Sequence, residues 1–267
     1  MKFTCPKCSM PLSVVNGGAA KCENGHTFDR SKEGYYNLLL SCGGVHGDNK
    51  EMVLARREFL NTGAYLPLAE RIAALAEEHT GSGALIDVGC GEGYYTELIS
   101  RALSSSGGTV CGFDISKDAV KRAAKRVACA EFAVATAYKI PAANAAFDTA
   151  VNMFSPLALS ETHRILRTGG TFIMAIPGKR HLWGLKSAVY ESPYENEVKD
   201  PYLEGFKLVS TECIAYDIEL TSRSDVSALF MMTPYAYRTK REDRERILSL
   251  DKLKTEVEFI VFVYKKE

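Results

Sequence analysis

Ala84-Leu85-Ile86-Asp87-Val88-Gly89-Cys90-Gly91-Glu92-Gly93-Tyr94 decides the fold of this chain. An apolar run, Ala84 to Val88, reads as a buried strand. Three glycines at alternate positions follow, and a helical pattern starts at Tyr94. A strand, a glycine turn and a helix in that order bring bare backbone close to a ligand, because glycine has no side chain to hold the ligand off. The spacing differs from the G-x-G-x-x-G of dinucleotide-binding folds.

Outward from this turn, strand and helix patterns alternate. Strands are expected at Thr109 to Phe113, Glu131 to Ala135, Phe147 to Met153 and Thr171 to Ile176. Helices are expected at Lys117 to Val127 and at Ser160 to Arg167, the latter ended by Gly169-Gly170. A strand within Lys207 to Leu220, helices near Val226 to Met232 and Glu242 to Leu250, and a strand from Val257 to Tyr264 complete the pattern. Arg56 to Leu60 and Leu66 to Ala76 read as lead-in helices, and Ser41 to Asn49 as a flexible linker. The alternation implies a largely parallel sheet covered on both faces, with ligands at the carboxyl ends of its strands.

Asp114 closes the strand after the glycine turn. A carboxylate there can accept from both hydroxyls of a ribose, or it can cap the next helix together with Ser116. Asp87 can orient the loop backbone or accept from a cofactor amino group through water. Ala135 to Tyr138 offer a small, flat wall for an adenine ring. The three glycines look like the first motif of the Rossmann-like methyltransferases, which bind S-adenosylmethionine.

The amino-terminal end carries a second signature. Cys5-Pro6-Lys7-Cys8 and Cys22-Glu23-Asn24-Gly25-His26 pair a C-x-x-C with a C-x-x-x-H, joined through a segment with an Asn16-Gly17 turn. Three thiolates and an imidazole close a tetrahedral zinc shell with no open position, which suits a structural site. A segment this short has little core, so the metal supplies its folding free energy. The isolated Cys90 and Cys111 read as inert core thiols.

Bulk properties narrow the rest. The chain has 267 residues, 46% hydrophobic and 25% charged, with a formal net charge of +0, so nucleic-acid binding has to rest on local patches. Lys117, Lys121 and Lys125, with Arg122 and Arg126, form one such stripe; Lys2, Lys7, Lys21 and Arg30 form another. No apolar run is long enough for a bilayer span and the amino terminus lacks a signal-peptide core, so a cytoplasmic, non-membrane protein is expected.

Five strings beyond the knuckles carry a closer resemblance: Lys32 to Leu39, Ala55 to Leu60, Asp87 to Tyr95, Pro177 to Leu182 and Met232 to Arg238. Together they resemble the 23S ribosomal RNA (guanine-N1)-methyltransferases of the RlmA family, which includes a tylosin-resistance branch. The resemblance implies an α/β fold: a Rossmann-like class I methyltransferase domain with a small N-terminal zinc-binding module. Residues 1–40 would be the zinc module, 41–83 linker and helical lead-in, and 84–267 the S-adenosylmethionine-dependent domain. It implies zinc on Cys5, Cys8, Cys22 and His26, and cofactor contacts at Tyr65, Gly91, Glu92 and His181. Asp87, Gly89, Gly93 and Asp114 join through the wider methyltransferase pattern. A homodimer whose cleft holds an RNA hairpin is implied as well. The sequence departs from the family pattern at Asn152 to Leu157, where the methyl acceptor should sit.

Methylating guanine N1 requires loss of its proton, which a cation near O6 favours. Arg180 and Lys179 are candidates for that cation, and Tyr235 or Phe154 for stacking on a flipped base. No general base stands out. A small-molecule methyltransferase would account for the glycines and leave the knuckles unexplained. A non-catalytic RNA-binding scaffold would have no need of Gly89, Gly91, Gly93 and Asp114 together.

Overall fold

The computed structural model describes residues 1–40, 47–198 and 201–267. Most of the expected linker, residues 41–46, lies outside the described residues. Three short strands, β1 (Ser13–Val14), β2 (Ala20–Lys21) and β3 (Thr27–Phe28), form an antiparallel sheet of their own. Then come β4 (Tyr35–Asn37), α1 (Lys50–Asn61), α2 (Leu66–Thr80), β5 (Ala84–Val88) and α3 (Tyr94–Ser104). They are followed by β6 (Thr109–Asp114), α4 (Lys117–Arg126), β7 (Glu131–Val134), β8 (Phe147–Met153) and α5 (Leu159–Ile165). The chain ends with β9 (Leu166–Pro177), α6 (Trp183–Val189), β10 (Phe206–Leu220), α7 (Arg223–Met231), α8 (Arg241–Leu248) and β11 (Leu253–Lys266).

The main sheet has eight strands in the order β10-β11-β9-β8-β5-β6-β7-β4. The six from β9 to β4 run parallel, and β11 and β10 close one edge antiparallel. Period-two alternation sorts the strand residues between two cores. Leu85, Val151, Ile173 and Val261 meet Leu68, Ile72 and Ile99 of the covering helices on one face. Ile86, Ala150, Phe172 and Phe262 face the other core, which Phe3, Cys5, Leu12 and Leu38 of the amino-terminal segment complete. The metal-knuckle segment therefore shares its core with the sheet and also lends it the edge strand β4.

Two elements differ from the sequence reading, and two arise unannounced. Gly169-Gly170 do not end a helix: α5 stops at Ile165 and β9 begins at once with buried Leu166. The glycines instead absorb a register shift, since Phe147 pairs with Leu166 but Thr149 with Thr171. A Cβ on Gly170 would meet the carbonyls of Arg167 at 2.8 Å and Asp148 at 3.1 Å, so the bulge needs a bare backbone. Lys50 to Ala55 extend the first lead-in helix beyond its expected start, because Asn49 caps it by accepting from Met52 N–H. β4 and α6 are each too short to print a periodicity.

Candidate active site and metal centre

The knuckles converge as the spacing requires. One ligand atom from each of Cys5, Cys8, Cys22 and His26 lies within 4.8 Å of all the others. The Cys8 and Cys22 sulfurs are 3.7 Å apart, and His26 Nδ1 is 3.4 to 3.5 Å from the three sulfurs. Thiolates around zinc at about 2.3 Å stand roughly 3.8 Å apart, so the donors trace the edges of a zinc tetrahedron. Turn hydrogen bonds hold each knuckle: Ser9 N–H donates to Cys5 O at 2.7 Å, and Gly25 N–H to Cys22 O at 2.9 Å. The Met10 N–H, foremost, holds the Cys8 thiol down to about 6, which favours the thiolate a metal takes.

At the carboxyl ends of β5, β6 and β8 lies a cavity of about 730 Å³, a size typical of cofactor sites. Its wall brings together Tyr65, Asp87, Gly89, Gly91, Glu92, Asp114, Phe154, His181 and Tyr235. Gly93 and Arg180 stand outside the lining. Gly93 instead begins α3 and packs on Ala123, where a Cβ would meet the backbone at 2.9 Å.

The glycine turn is fitted between two loops. Gly89 has φ +78°, and a Cβ there would lie 2.5 Å from Ser155 Cβ and Oγ. Ser155 Oγ donates to Val88 O at 2.8 Å, so the loop after β8 rests directly on the turn. Around Gly91, with φ +55°, nothing lies within 4 Å of a built Cβ. That open side is the cradle a ligand would fill.

The carboxylates divide their tasks. Asp114 accepts from Gly91 N–H at 3.0 Å and Ser116 N–H at 2.8 Å. Ser116 itself caps α4, so Asp114 keeps its remaining lone pairs for the cavity. Burial raises its pKa. Asp87 is 1% exposed; one oxygen accepts from Thr96 Oγ1 at 2.6 Å and the other, Oδ1, has no partner among the described residues. Burial pushes its carboxyl up to about 7. An orphaned buried oxygen beside a glycine cradle suits the amino group of a bound amino-acid moiety. Glu92 is turned into an ion-pair network with Arg126 and Arg57, although it borders the cavity.

Tyr65 and His181 form a directed pair. Glu258 N–H donates to His181 Nδ1 at 3.3 Å, and Tyr65 Oη lies 3.2 Å from Nε2. Burial holds the imidazole down to about 3, so it is neutral with its proton on Nε2. Tyr65 Oη then accepts from Nε2, and its own proton is left for an acceptor in the cavity.

On the acceptor side, Phe154 adopts φ +60°, a conformation that bulky residues rarely hold. Asn152 Oδ1 accepts from Ser155 N–H at 3.3 Å, and Phe154 N–H donates to Ala175 O at 3.3 Å, which fixes the strained turn. The ring remains 40% exposed at the cavity. Arg180 is engaged elsewhere: it pairs with Glu256 at 3.0 Å and lies over Trp183. Arg56, read in the sequence only as the start of a lead-in helix and part of one family string, is the one Lys or Arg among the described residues lining the cavity, and it is held by Asp48. The stripe on α4 is partly spent, since Lys121 pairs with Glu33 at 3.6 Å and Arg126 with Glu92 and Glu97. Cys90 and Cys111 are buried thiols with raised pKa, inert as expected.

A methyltransferase-domain family model matches residues 85–170. One described as RlmA, N-terminal, a zinc ribbon, matches residues 3–40. The chain is 38% identical over 189 residues to a 23S rRNA (guanine(748)-N(1))-methyltransferase of Streptomyces fradiae, over 69% of this chain and 66% of that protein. The aligned part thus spans just under two thirds of that relative. A Micromonospora griseorubida protein, provisionally named 23S rRNA (guanine-N(1)-)-methyltransferase, is 30% identical over 258 residues, 88% of this chain and 86% of the relative. A solved structure described as "Conversion of a Disulfide Bond into a Thioacetal Group during Echinomycin Biosynthesis" superposes with a TM-score of 0.50. It is 18% identical and covers 74% of this chain and 81% of its own, a likeness of fold alone.

Proposed function

Because the chain belongs to the RlmA family of 23S rRNA (guanine-N1)-methyltransferases, we propose that it methylates guanine N1 in a hairpin of 23S ribosomal RNA with S-adenosylmethionine as donor. One observation carries the reading: a closed Cys3His cluster and a glycine-cradled cavity share one chain and one core. A small-molecule enzyme has no use for the first. An RNA scaffold has no use for the second.

When bound, the cofactor supplies an electrophilic methyl group on a sulfonium. Asp87 Oδ1 would accept from its amino group, and Tyr65 would donate to its carboxylate while His181 holds the phenol in place. Asp114 would hold the ribose hydroxyls, and Ala135 to Tyr138 would wall the adenine. Gly91 leaves room for the chain between them, and Gly89, Glu92 and Gly93 keep the loop in shape. Cys5, Cys8, Cys22 and His26 would hold zinc, which would staple the module. Phe154 or Tyr235 would stack on a guanine turned out of the hairpin. Transfer would form the N1–methyl bond as the sulfonium–methyl bond breaks, with the neutral thioether S-adenosylhomocysteine as leaving group and the N1 proton passing to water.

Residues 1–40 are the RNA-recognising module, with Lys2, Lys7, Lys21 and Arg30 all exposed. Residues 41–83 link it to the methyltransferase domain at 84–267. The active form is a homodimer in the cytoplasm, where ribosomal RNA is found; no helix among the described residues is long and apolar enough to cross a membrane. Primer extension tests the reading, because an N1 methyl blocks base pairing. A new cofactor-dependent stop at one guanine of the hairpin is expected. A cofactor-binding chain that leaves this RNA unblocked would refute it.

A further inference from the structure

Lys186 is completely buried, yet it meets no carboxylate in its hydrogen bonds. Its ammonium donates to Tyr194 O at 2.9 Å and to Asn196 Oδ1 at 2.7 Å, and it lies 4.6 Å from the Tyr194 ring centroid. Its hydrogen bonds go to neutral acceptors, and the Glu195 carboxylate offsets the burial only from beyond ion-pair distance, so the arrangement calls for a use.

Asn196 lines the reaction cavity, as do Phe154 and Tyr235. Its amide has a single possible orientation. Lys186 can only donate, so the amide oxygen faces it. Gly178 O can only accept, and it lies 2.7 Å from Nδ2. The backbone is fixed as well, with Asn196 N–H donating to Lys179 O at 2.9 Å. One amide proton is therefore spent on Gly178, and the second has no partner among the described residues. A cation on the amide oxygen polarises the group and strengthens that remaining donor.

From this geometry we propose that Asn196 reads O6 of the acceptor guanine and that Lys186 is the positioning residue behind it. The assignment rests on the RNA methylation reading above. Guanine presents a carbonyl next to N1, whereas adenine presents an amine that would face the amide donor. As N1 exchanges its proton for the methyl, negative charge moves onto O6. The amide bond is then stronger in the transition state than in the ground state. No atom passes to or from Asn196.

The test pairs variants with a modified base. Two hairpins are made, identical except that the target guanosine of one is 6-thioguanosine, whose sulfur is a poor acceptor. Asn196→Ala should lower kcat on the guanosine hairpin about 10²-fold, in the range for loss of one donor to a developing oxyanion, and leave the Kd for S-adenosylmethionine unchanged. On the thio substrate, wild type and Asn196→Ala should differ less than threefold. Asn196→Asp keeps the bond to Lys186 but loses the donor to Gly178 O and turns a carboxylate on O6, and its kcat should fall at least as far as that of the alanine variant. Equal losses on both hairpins, an unchanged kcat for Asn196→Asp, or a parallel loss of cofactor affinity would each overturn the assignment. If wild type methylates neither hairpin, the underlying reading fails; if it methylates both and the variants match it, only the role of Asn196 fails.

Discussion

Gly89→Ala probes the joint between the glycine turn and the loop after β8. An alanine there meets two penalties. Its φ of +78° is left-handed, and each L-residue forced into that region costs about 1–2 kcal/mol. Its Cβ would also stand 2.5 Å from Ser155 Cβ and Oγ, a contact that has to open. Opening it breaks the Ser155–Val88 hydrogen bond, for a combined overpacking cost of about 1–3 kcal/mol. The sum, about 2–5 kcal/mol, corresponds to a fall of roughly 5–15 °C in Tm for a chain of this size. Adding Ser155→Gly removes the clash and leaves only the backbone term. The double variant should therefore recover about 1–3 kcal/mol relative to the additive expectation, measured by urea unfolding of all four proteins. Additive losses would refute the contact, and a stability change below 1 kcal/mol for Gly89→Ala alone would refute the left-handed turn.

Chelation should release one zinc per chain by elemental analysis and lower the Tm of the whole protein, because Phe3, Cys5 and Leu12 belong to the core under the sheet; a melting curve indifferent to metal would contradict that shared core. Asp114→Ala should weaken S-adenosylmethionine binding about 10- to 100-fold in calorimetry, since it removes a charged acceptor and lets go of the Gly91 N–H. Asp87 gives a pH signature. Its native pKa of about 7 exceeds the unfolded value of about 3.9, so the native state binds the proton more tightly and this carboxyl's stabilisation is lost as pH rises from about 4 to 7. His181, held down to about 3, contributes in the opposite direction as pH rises towards about 6.5. The comparison of Asp87→Asn with wild type isolates the first effect. The variant should gain relative stability from pH 4 to 7, by up to a few kcal/mol, and level off above that; a flat difference would show that Asp87 is ionised in the native state.

Much of this architecture is written locally. The run Ala84 to Val88, the glycines and the switch to helix at Tyr94 predict the turn, because each step is a short-range preference. The metal knuckles are legible for the same reason: two ligand pairs and an Asn-Gly turn fix their own geometry. β4 is not, since Tyr35–Asn37 becomes a strand only by pairing with β7, almost a hundred residues away. The Gly169-Gly170 pair reads equally as a helix stop or a bulge, and the pairing of Phe147 with Leu166 decides it. Within the site, Asp87 and Asp114 announce themselves by position after strands. Arg180 looks like the useful cation beside His181, but Glu256, distant in sequence, claims it. Lys186 and Asn196 gain meaning only when the loop after α6 folds back over the cavity wall, and nothing in their local pattern foretells it.

The central claim is that the methyl group held at the glycine turn ends on N1 of a guanine. The direct measurement is mass spectrometry of nucleosides from unmodified 23S hairpin RNA, digested after incubation with the protein and deuteromethyl-labelled S-adenosylmethionine. A single labelled species co-eluting with 1-methylguanosine is predicted. Label on another base, on another guanine atom, or on no nucleoside at all while the cofactor remains bound would contradict the account.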